Sequence, residues 1–401
     1  MQKIYDLTII GGGIIGCTIA RSICKERKLN VLLVDKENSF GVHASTHNSG
    51  VIHSGFYYEP NSNKAKFSVD GSKMIISYCK KNNIGLKQNG ALILANNETE
   101  IQTLEHLKIN GEKNDVMGLK LIDQDEISDF EPHAKGISGL YSPHDAVIDV
   151  HSFLNNMVNE LLLTNVEIKL NCFVKKIEEK RDFILLQTNN EKIFTKYMIN
   201  CAGVNADVVG SYMGVSNNLQ IIPFRGEYYE LSKIKPNLIR SMIYPVPSKS
   251  TPFLGTHVTK TVDGKILFGP NSVLALGRES YSDYDINLKD LVMMLKYNGF
   301  WKMLNNTRNI QFFNYFPPFK KSAFYSDVCK LVNNVEKSDM MKSYSGVRAQ
   351  LVDSDGNFVK DILIRNTPRS IHVLNAVSPG LTCSLAFADY IDKIFEKIYS
   401  F

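Results

Sequence analysis

The glycines of Gly11-Gly-Gly13-Ile-Ile-Gly16 and the carboxylate of Asp35 are the first residues whose types and spacing could do chemistry. Gly11 permits a sharp turn, Gly13 lets backbone amides approach a pyrophosphate, and Gly16 allows a helix to lie close to the preceding strand. A pyrophosphate would sit at the helix N-terminus, by Ile14 and Ile15, where free amides and the helix dipole favour negative charge. Asp35, nineteen positions after Gly16, would accept hydrogen bonds from ribose hydroxyls and repel a 2′-phosphate. The chemistry so marked is binding of FAD or NAD rather than NADP.

A strand, a tight turn and a helix must position these residues. Ile4 to Ile10 is a short apolar, β-branched run, and Ile15, Ile19 and Ile23 recur after the glycines at helical spacing. Val31-Leu-Leu-Val-Asp35, followed by Lys36, reads as a second buried strand ending on the carboxylate, which completes a βαβ unit. Phe40 to Gly55 is then rich in small and hydroxyl residues, where an NAD dehydrogenase ordinarily proceeds to another helix. Ser45, Thr46, His47, Asn48, Ser49, Gly50 and Val51 suit backbone contact with a planar ligand, which favours a flavin. His43 and His47 share HxxxH spacing, but Gly41 and the hydroxyl neighbours argue for a loop without a third ligand, and no metal is expected.

His47-Asn-Ser-Gly-Val-Ile-His-Ser-Gly55, Tyr57-Tyr-Glu-Pro60 and Lys64-Ala-Lys66 resemble the L-2-hydroxyglutarate dehydrogenase/oxidase family of the D-amino-acid-oxidase-like flavoproteins. Further matches follow in order at Asn200-Cys-Ala-Gly203, Ile222-Pro-Phe-Arg-Gly-Glu-Tyr228, Tyr244-Pro-Val-Pro247, Pro252-Phe-Leu-Gly-Thr-His257, Gly346-Val-Arg-Ala-Gln350 and Asn375-Ala-Val-Ser-Pro379. The chain departs from the pattern in carrying Asp35 where glutamate is common and Ser378-Pro-Gly-Leu-Thr382 where more alanine is expected. The resemblance is thinnest between Leu274 and Met340.

The resemblance implies an α/β fold: a Rossmann-like FAD-binding domain from residues 1–80, 145–210 and 341–401, interleaved with an α+β substrate-binding domain from 81–144 and 211–340. In partial agreement, residues 166–170, 174–177, 183–188 and 197–200 read as short strands. Val174, Ala202 and Gly203 would approach the nucleotide. Ile371 to Asn375 followed by Pro379-Gly380-Leu381-Thr382 and an apolar-periodic helix places a second helix N-terminus after a strand, where a flavin pyrimidine edge that gains charge on reduction would be stabilised.

The implied reaction is oxidation of an L-2-hydroxy acid, of the kind of L-2-hydroxyglutarate, to the 2-oxo acid. It requires hydride transfer to flavin N5, a base for the hydroxyl proton and cations that hold the carboxylate. The resemblance puts Arg348 on the substrate carboxylate, a task that suits a guanidinium fork. Arg225 is the candidate second clamp for a dicarboxylate. His53 and His257 are alternative bases, because imidazole titrates near working pH. Tyr57, Tyr58, Lys64 and Lys66 are candidates to line the pocket and neutralise a distal carboxylate, and His47 is a candidate for covalent attachment of FAD. Electrons would pass to a quinone, another acceptor or oxygen. The alternatives are a related flavoenzyme acting on glycerol 3-phosphate or an amino acid, and a flavin-binding redox sensor without turnover.

Composition bounds these readings. At 401 residues the chain fits two domains, and 44% hydrophobic with 22% charged residues is ordinary for a folded protein. A net charge of +5 without a Lys/Arg block or zinc-finger spacing gives no support to nucleic-acid binding and suits a small anionic substrate. Seven scattered cysteines without a CxxC pair point to a reduced, cytoplasmic protein. The apolar run Leu7 to Ala20 is broken by glycines and runs into a polar helix, unlike a signal peptide. No stretch approaches the roughly 20 apolar residues of a membrane span, which leaves open peripheral attachment to the inner face of a membrane.

Overall fold

The structure, a computed structural model, describes residues 3–232, 238–247, 255–306 and 320–399. Pro252, Phe253 and Leu254 of the Pro252–His257 motif lie outside the described residues. The start of the chain folds as its pattern predicts, into strand Ile4–Ile10, helix Ile14–Glu26 and strand Val31–Val34. Val31 and Leu33 pack with Cys17, Ile19 and Ile23 of that helix, whereas Leu32 and Val34 pack on the opposite face with Cys172, Val174 and Ile177. Burial on both faces is the signature of a parallel strand. Val31–Val34 indeed pairs parallel with Ile4–Ile10 on one edge and Val166–Lys169 on the other.

Ile4–Ile10 also runs parallel to Lys192–Asn200, which pairs parallel with Ser370–Asn375. An antiparallel meander of Val174–Glu179, Ile184–Thr188 and Lys192–Asn200 completes most of an eight-stranded sheet. All four short strands expected between 166 and 200 are present. Helices Asn63–Lys81, Val150–Leu162 and Gly380–Ile398 close one face of this sheet through Phe67, Phe153 and Phe387 among others.

Among the described residues the second sheet has nine strands. Leu92, Leu94, Ile243 and Phe268 pack on one of its faces against Phe324 and Val328 of helix Lys320–Cys329. Ala91, Ile93 and Tyr244 pack on the other against Leu104 and Leu107 of helix Glu98–Lys113. Its longest pairing joins Leu219–Leu231 antiparallel to the 14-residue strand Met340–Asp353.

The resemblance implies 341–401 in the cofactor domain; within that segment Met340–Asp353 is hydrogen-bonded into the second sheet, and Ser370–Asn375 into the first. The reason is register, which matches Met340–Asp353 to its partner from Leu219↔Asp353 to Leu231↔Met340. A third sheet, of Val51–Ile52, Ala146–Ile148 and Leu86–Lys87, links the small-residue loop of 40–55 to the segment that follows the first strands of the second sheet.

Candidate active site

One cavity of about 390 Å³ runs from the glycine turn to the second sheet. Gly11, Gly13, Ile14, Ile15, Asp35, Lys36, Ser45, His47, Asn48, Ser49, Val51, Val174, Ala202, Gly203, Pro379, Gly380 and Leu381 all line it. Steric fit explains the turn: a Cβ on Gly11, whose φ is +110°, would lie 2.3 Å from the Cys201 carbonyl oxygen, and one on Gly16 would lie 1.9 Å from that of Gly11. The Asp35 carboxylate accepts from the Gly12 amide at 2.5 Å and the Glu37 amide at 2.8 Å, which fixes it at the end of its strand. Ser45 Oγ accepts from the Ile14 amide at 2.8 Å, and no acidic residue occupies the first turn of helix Ile14–Glu26. The 19-residue helix Gly380–Ile398 likewise has no acidic residue in its first turn. Two helix N-termini lining one cavity, with a close-packed glycine turn and the Asp35 carboxylate at a strand end, fit a dinucleotide cofactor.

Gly16, Thr46, Gly50 and Thr382 do not line this cavity, and the tight packing of Gly16 is the role its spacing predicts. Gly16 is packed on Gly11, Thr46 Oγ1 donates to the Gly41 carbonyl at 2.5 Å, and the Gly50 amide donates to Asn48 Oδ1 at 2.9 Å. Thr382 Oγ1 accepts from the His53 amide at 3.1 Å, so it holds the loop in place. His47 lines the cavity, with its Nδ1 donating to the His43 carbonyl at 3.1 Å. His43 belongs to a separate cluster with Glu37 and Glu279, three groups able to offer metal ligands. The Lys36 ammonium already lies among them, bonded to Glu37, 2.6 Å from Glu279 and 3.1 Å from His43.

At the other end of the cavity His53, His257 and Arg348 converge with Tyr228. His257 stacks on Tyr244 with ring centroids 4.6 Å apart, and Tyr244 lies 6.3 Å from the His53 ring. His257 Nδ1 donates to the Gly255 carbonyl at 3.2 Å, which leaves Nε2 as its acceptor. Burial, with the charges of His53 and Arg348, holds the His257 pKa at about 3. Burial also lowers the pKa of His53, against the opposing charge of Asp145, whose Oδ1 is 3.8 Å from His53 Nδ1. Burial lowers the pKa of Arg348 too, from an ordinary value so high that it stays charged.

The structure does not bring every expected substrate residue to this end. Arg225 is buried elsewhere: its guanidinium donates to the Ser282 carbonyl and Asp283, and sits 3.3 Å from Glu227. Lys320 bonds the same two carboxylates. Alternation is the cause, because the register sets Phe224 opposite Arg348 and Arg225 opposite Val347, so the two arginines leave opposite faces of one ribbon. Lys66 is exposed on helix Asn63–Lys81, two positions round from half-buried Lys64. Burial, followed by Arg348, lowers the Lys64 pKa to about 8. Tyr58 lines a chamber of about 20 Å³ behind the main cavity, together with Tyr57, His53, Asp145 and Tyr244. Sequence reasoning passed over Asp145 altogether, since Ser142-Pro-His-Asp145 carries no motif, and named Tyr228 and Tyr244 only as parts of longer matches.

The chain matches the family model described as FAD dependent oxidoreductase over residues 6–394. It is 34% identical to the mitochondrial L-2-hydroxyglutarate dehydrogenase of Bos taurus, over 98% of this chain and 89% of the relative. It is also 34% identical to the L-2-hydroxyglutarate dehydrogenase of Indibacter alkaliphilus, over 95% of this chain and 96% of the relative. Among solved structures it is similar to the FAD-bound, dithionite-reduced L-alpha-glycerophosphate oxidase of Mycoplasma pneumoniae, at a TM-score of 0.80, 23% identity and coverage of 98% and 94%. Glycine oxidase from Geobacillus kaustophilus follows at a TM-score of 0.75, 16% identity and coverage of 98% and 95%. At these identities the structural likeness establishes the fold.

Proposed function

This chain belongs to the FAD-dependent oxidoreductase family, among the L-2-hydroxyglutarate dehydrogenases, and on that premise we propose that it oxidises L-2-hydroxyglutarate to the 2-oxo acid at the Arg348 end of its cavity. The observation that carries the reading is the convergence of Arg348, His53 and His257 on the cavity whose far wall is the glycine turn. FAD, when bound, supplies the two-electron acceptor for the hydride on the hydroxyl-bearing carbon. Gly11, Gly13, Ile14 and Ile15 hold its pyrophosphate, Asp35 its ribose, and the loop from Ser45 to Val51 with Pro379 to Leu381 the flavin end.

Arg348 grips the carboxylate next to the reacting carbon with a bidentate fork and so turns that carbon's single hydrogen toward the cofactor. One of the two histidines takes the hydroxyl proton. Both have pKa values lowered by burial, so each is neutral and able to accept at neutral pH. Lys64, whose charged form burial and Arg348 disfavour, is the candidate counter-charge for the distal carboxylate, since an arriving anion would favour its ammonium form. The electrons pass on to a quinone, another acceptor or oxygen. Among the described residues no helix is long and apolar enough to cross a membrane.

The test is product formation from each enantiomer of 2-hydroxyglutarate with an artificial acceptor. Conversion of the L form to 2-oxoglutarate, with the D form untouched, is the expected result. Equal turnover of both enantiomers, or of neither, contradicts the proposal.

A further inference from the structure

His53 and Asp145 are ninety-two positions apart in the chain and adjacent in the fold. The antiparallel pairing of Val51–Ile52 with Ala146–Ile148 sets Ile52 opposite Ala146, and the next pair along that register is His53 and Asp145. Asp145 is 1% exposed. Its Oδ1 accepts from the Ser54 amide at 3.2 Å, and its Oδ2 accepts from Ser54 Oγ at 2.8 Å and from the Ser142 hydroxyl. All of those donors are neutral. A carboxylate taken out of water is costly unless a cation stands near it, and the side chain 3.8 Å from Oδ1 that can become one is His53.

We infer that Asp145 is a positioning residue for the proposed reaction: it keeps His53 protonated at Nδ1, leaves Nε2 to take the substrate's hydroxyl proton, and so makes His53 rather than His257 the base. The inference rests on the reading of this cavity as the hydroxy-acid site. As the O–H bond breaks, the proton passes to Nε2; the electron pair of the C–H bond leaves as hydride to the flavin; a carbonyl forms; and the new imidazolium faces Asp145. His257 has no such support, because its Nδ1 is spent on the neutral Gly255 carbonyl. The distance from His53 to Asp145 exceeds a hydrogen bond, as is common where catalytic contacts tighten only with substrate in place. The His53 backbone is anchored meanwhile through Thr382, and the Ser54 backbone through Asp145 itself.

The charged and titratable groups that face His53 are Asp145, Arg348, His257, Tyr244, Tyr57 and Tyr58. Of these, Asp145 raises the proton affinity of His53 and Arg348 lowers it. In Asp145→Asn the acid limb of the pH profile of kcat therefore moves to lower pH, by about one unit. Over the same variant kcat falls at least about 100-fold, while KM and flavin content stay near those of the unaltered enzyme. In a His53→Gln background the same change costs no more than about two-fold further, because residues that act as one unit are not additive.

Retention of kcat within two-fold in Asp145→Asn, an unmoved acid limb, or full additivity with His53→Gln overturns the inference. Should Asp145→Asn lose its flavin, the decision passes to the nitrogen resonances of labelled histidines in the unaltered holoenzyme, assigned with His53→Gln. An Nδ1-protonated His53 is then expected, and an Nε2-protonated one overturns the inference. Failure of the underlying reading is distinguishable, since it would appear as an unaltered enzyme whose flavin L-2-hydroxyglutarate does not reduce.

Discussion

The two ends of the cavity are built in opposite ways. The proposed nucleotide end is centred on one stretch of chain, Ile4 to Asp35, whose Gly11 and Gly16 make backbone contacts so close that a single methyl group would not fit. The proposed substrate end is assembled from His53, His257 and Arg348, backed by Asp145, which lie on four separate segments brought together by sheet pairing. A local constraint leaves a spacing in the sequence. A constraint made by register leaves none, because any pair of residues can face each other once two strands are aligned.

The difference is sharpest when each end is broken in its own currency of contacts. Gly16→Ala should have the largest effect, because its Cβ would meet the Gly11 carbonyl oxygen at 1.9 Å with no flexible side chain to yield. Purified variant protein is expected to be colourless, and full flavin absorbance in it would show that the turn can adapt. Arg348→Ala should keep its flavin and lose kcat/KM by about 1,000-fold, in the range expected for a buried bidentate contact made to substrate. Retention of flavin with that loss would separate the two ends experimentally.

Arg225→Met tests the register argument from the other side. Arg225 is 4% exposed and serves Glu227 and Asp283, so its removal should lower stability by about 3 kcal/mol in denaturant titrations while kcat/KM changes less than about five-fold. A loss of activity as large as that of Arg348→Ala, without loss of stability, would restore Arg225 as a clamp.

The smallest effect is one of pH. His257 is held neutral down to about 3 and His372, buried between Ser370 and Asn200, down to about 4, against an ordinary value of 6.5. Between those values the unfolded chain binds protons that the folded chain refuses, so stability rises with pH there and falls as pH drops from 6.5 toward 4. His372→Asn should flatten part of the decline in Tm over that window, and an unchanged slope would contradict the assignment.

Legibility follows the same division. The βαβ unit, the small-residue loop and the helix after Pro379 could be read because each is a run of neighbours with its own periodicity. Arg348 and the two histidines could be named only through the resemblance of their motifs. The side to which Arg225 turns is illegible because a strand's parity is invisible until its partner is known, and the exposure of Lys66 because helical phase decides which of two nearby lysines turns inward. The sheet that Met340–Asp353 joins is likewise illegible, because nothing in the strand's own sequence says which partner completes its hydrogen bonds.

The central claim, that this cavity joins a flavin to the oxidation of an L-2-hydroxy dicarboxylate, is tested most directly by anaerobic rapid mixing of the flavin-loaded enzyme with L-2-hydroxyglutarate, its D enantiomer and glycerol 3-phosphate. Bleaching of the visible flavin band by the L-hydroxy acid alone, and its loss in Arg348→Ala, is the predicted result. A flavin that stays oxidised with L-2-hydroxyglutarate, or that glycerol 3-phosphate bleaches instead, would contradict it.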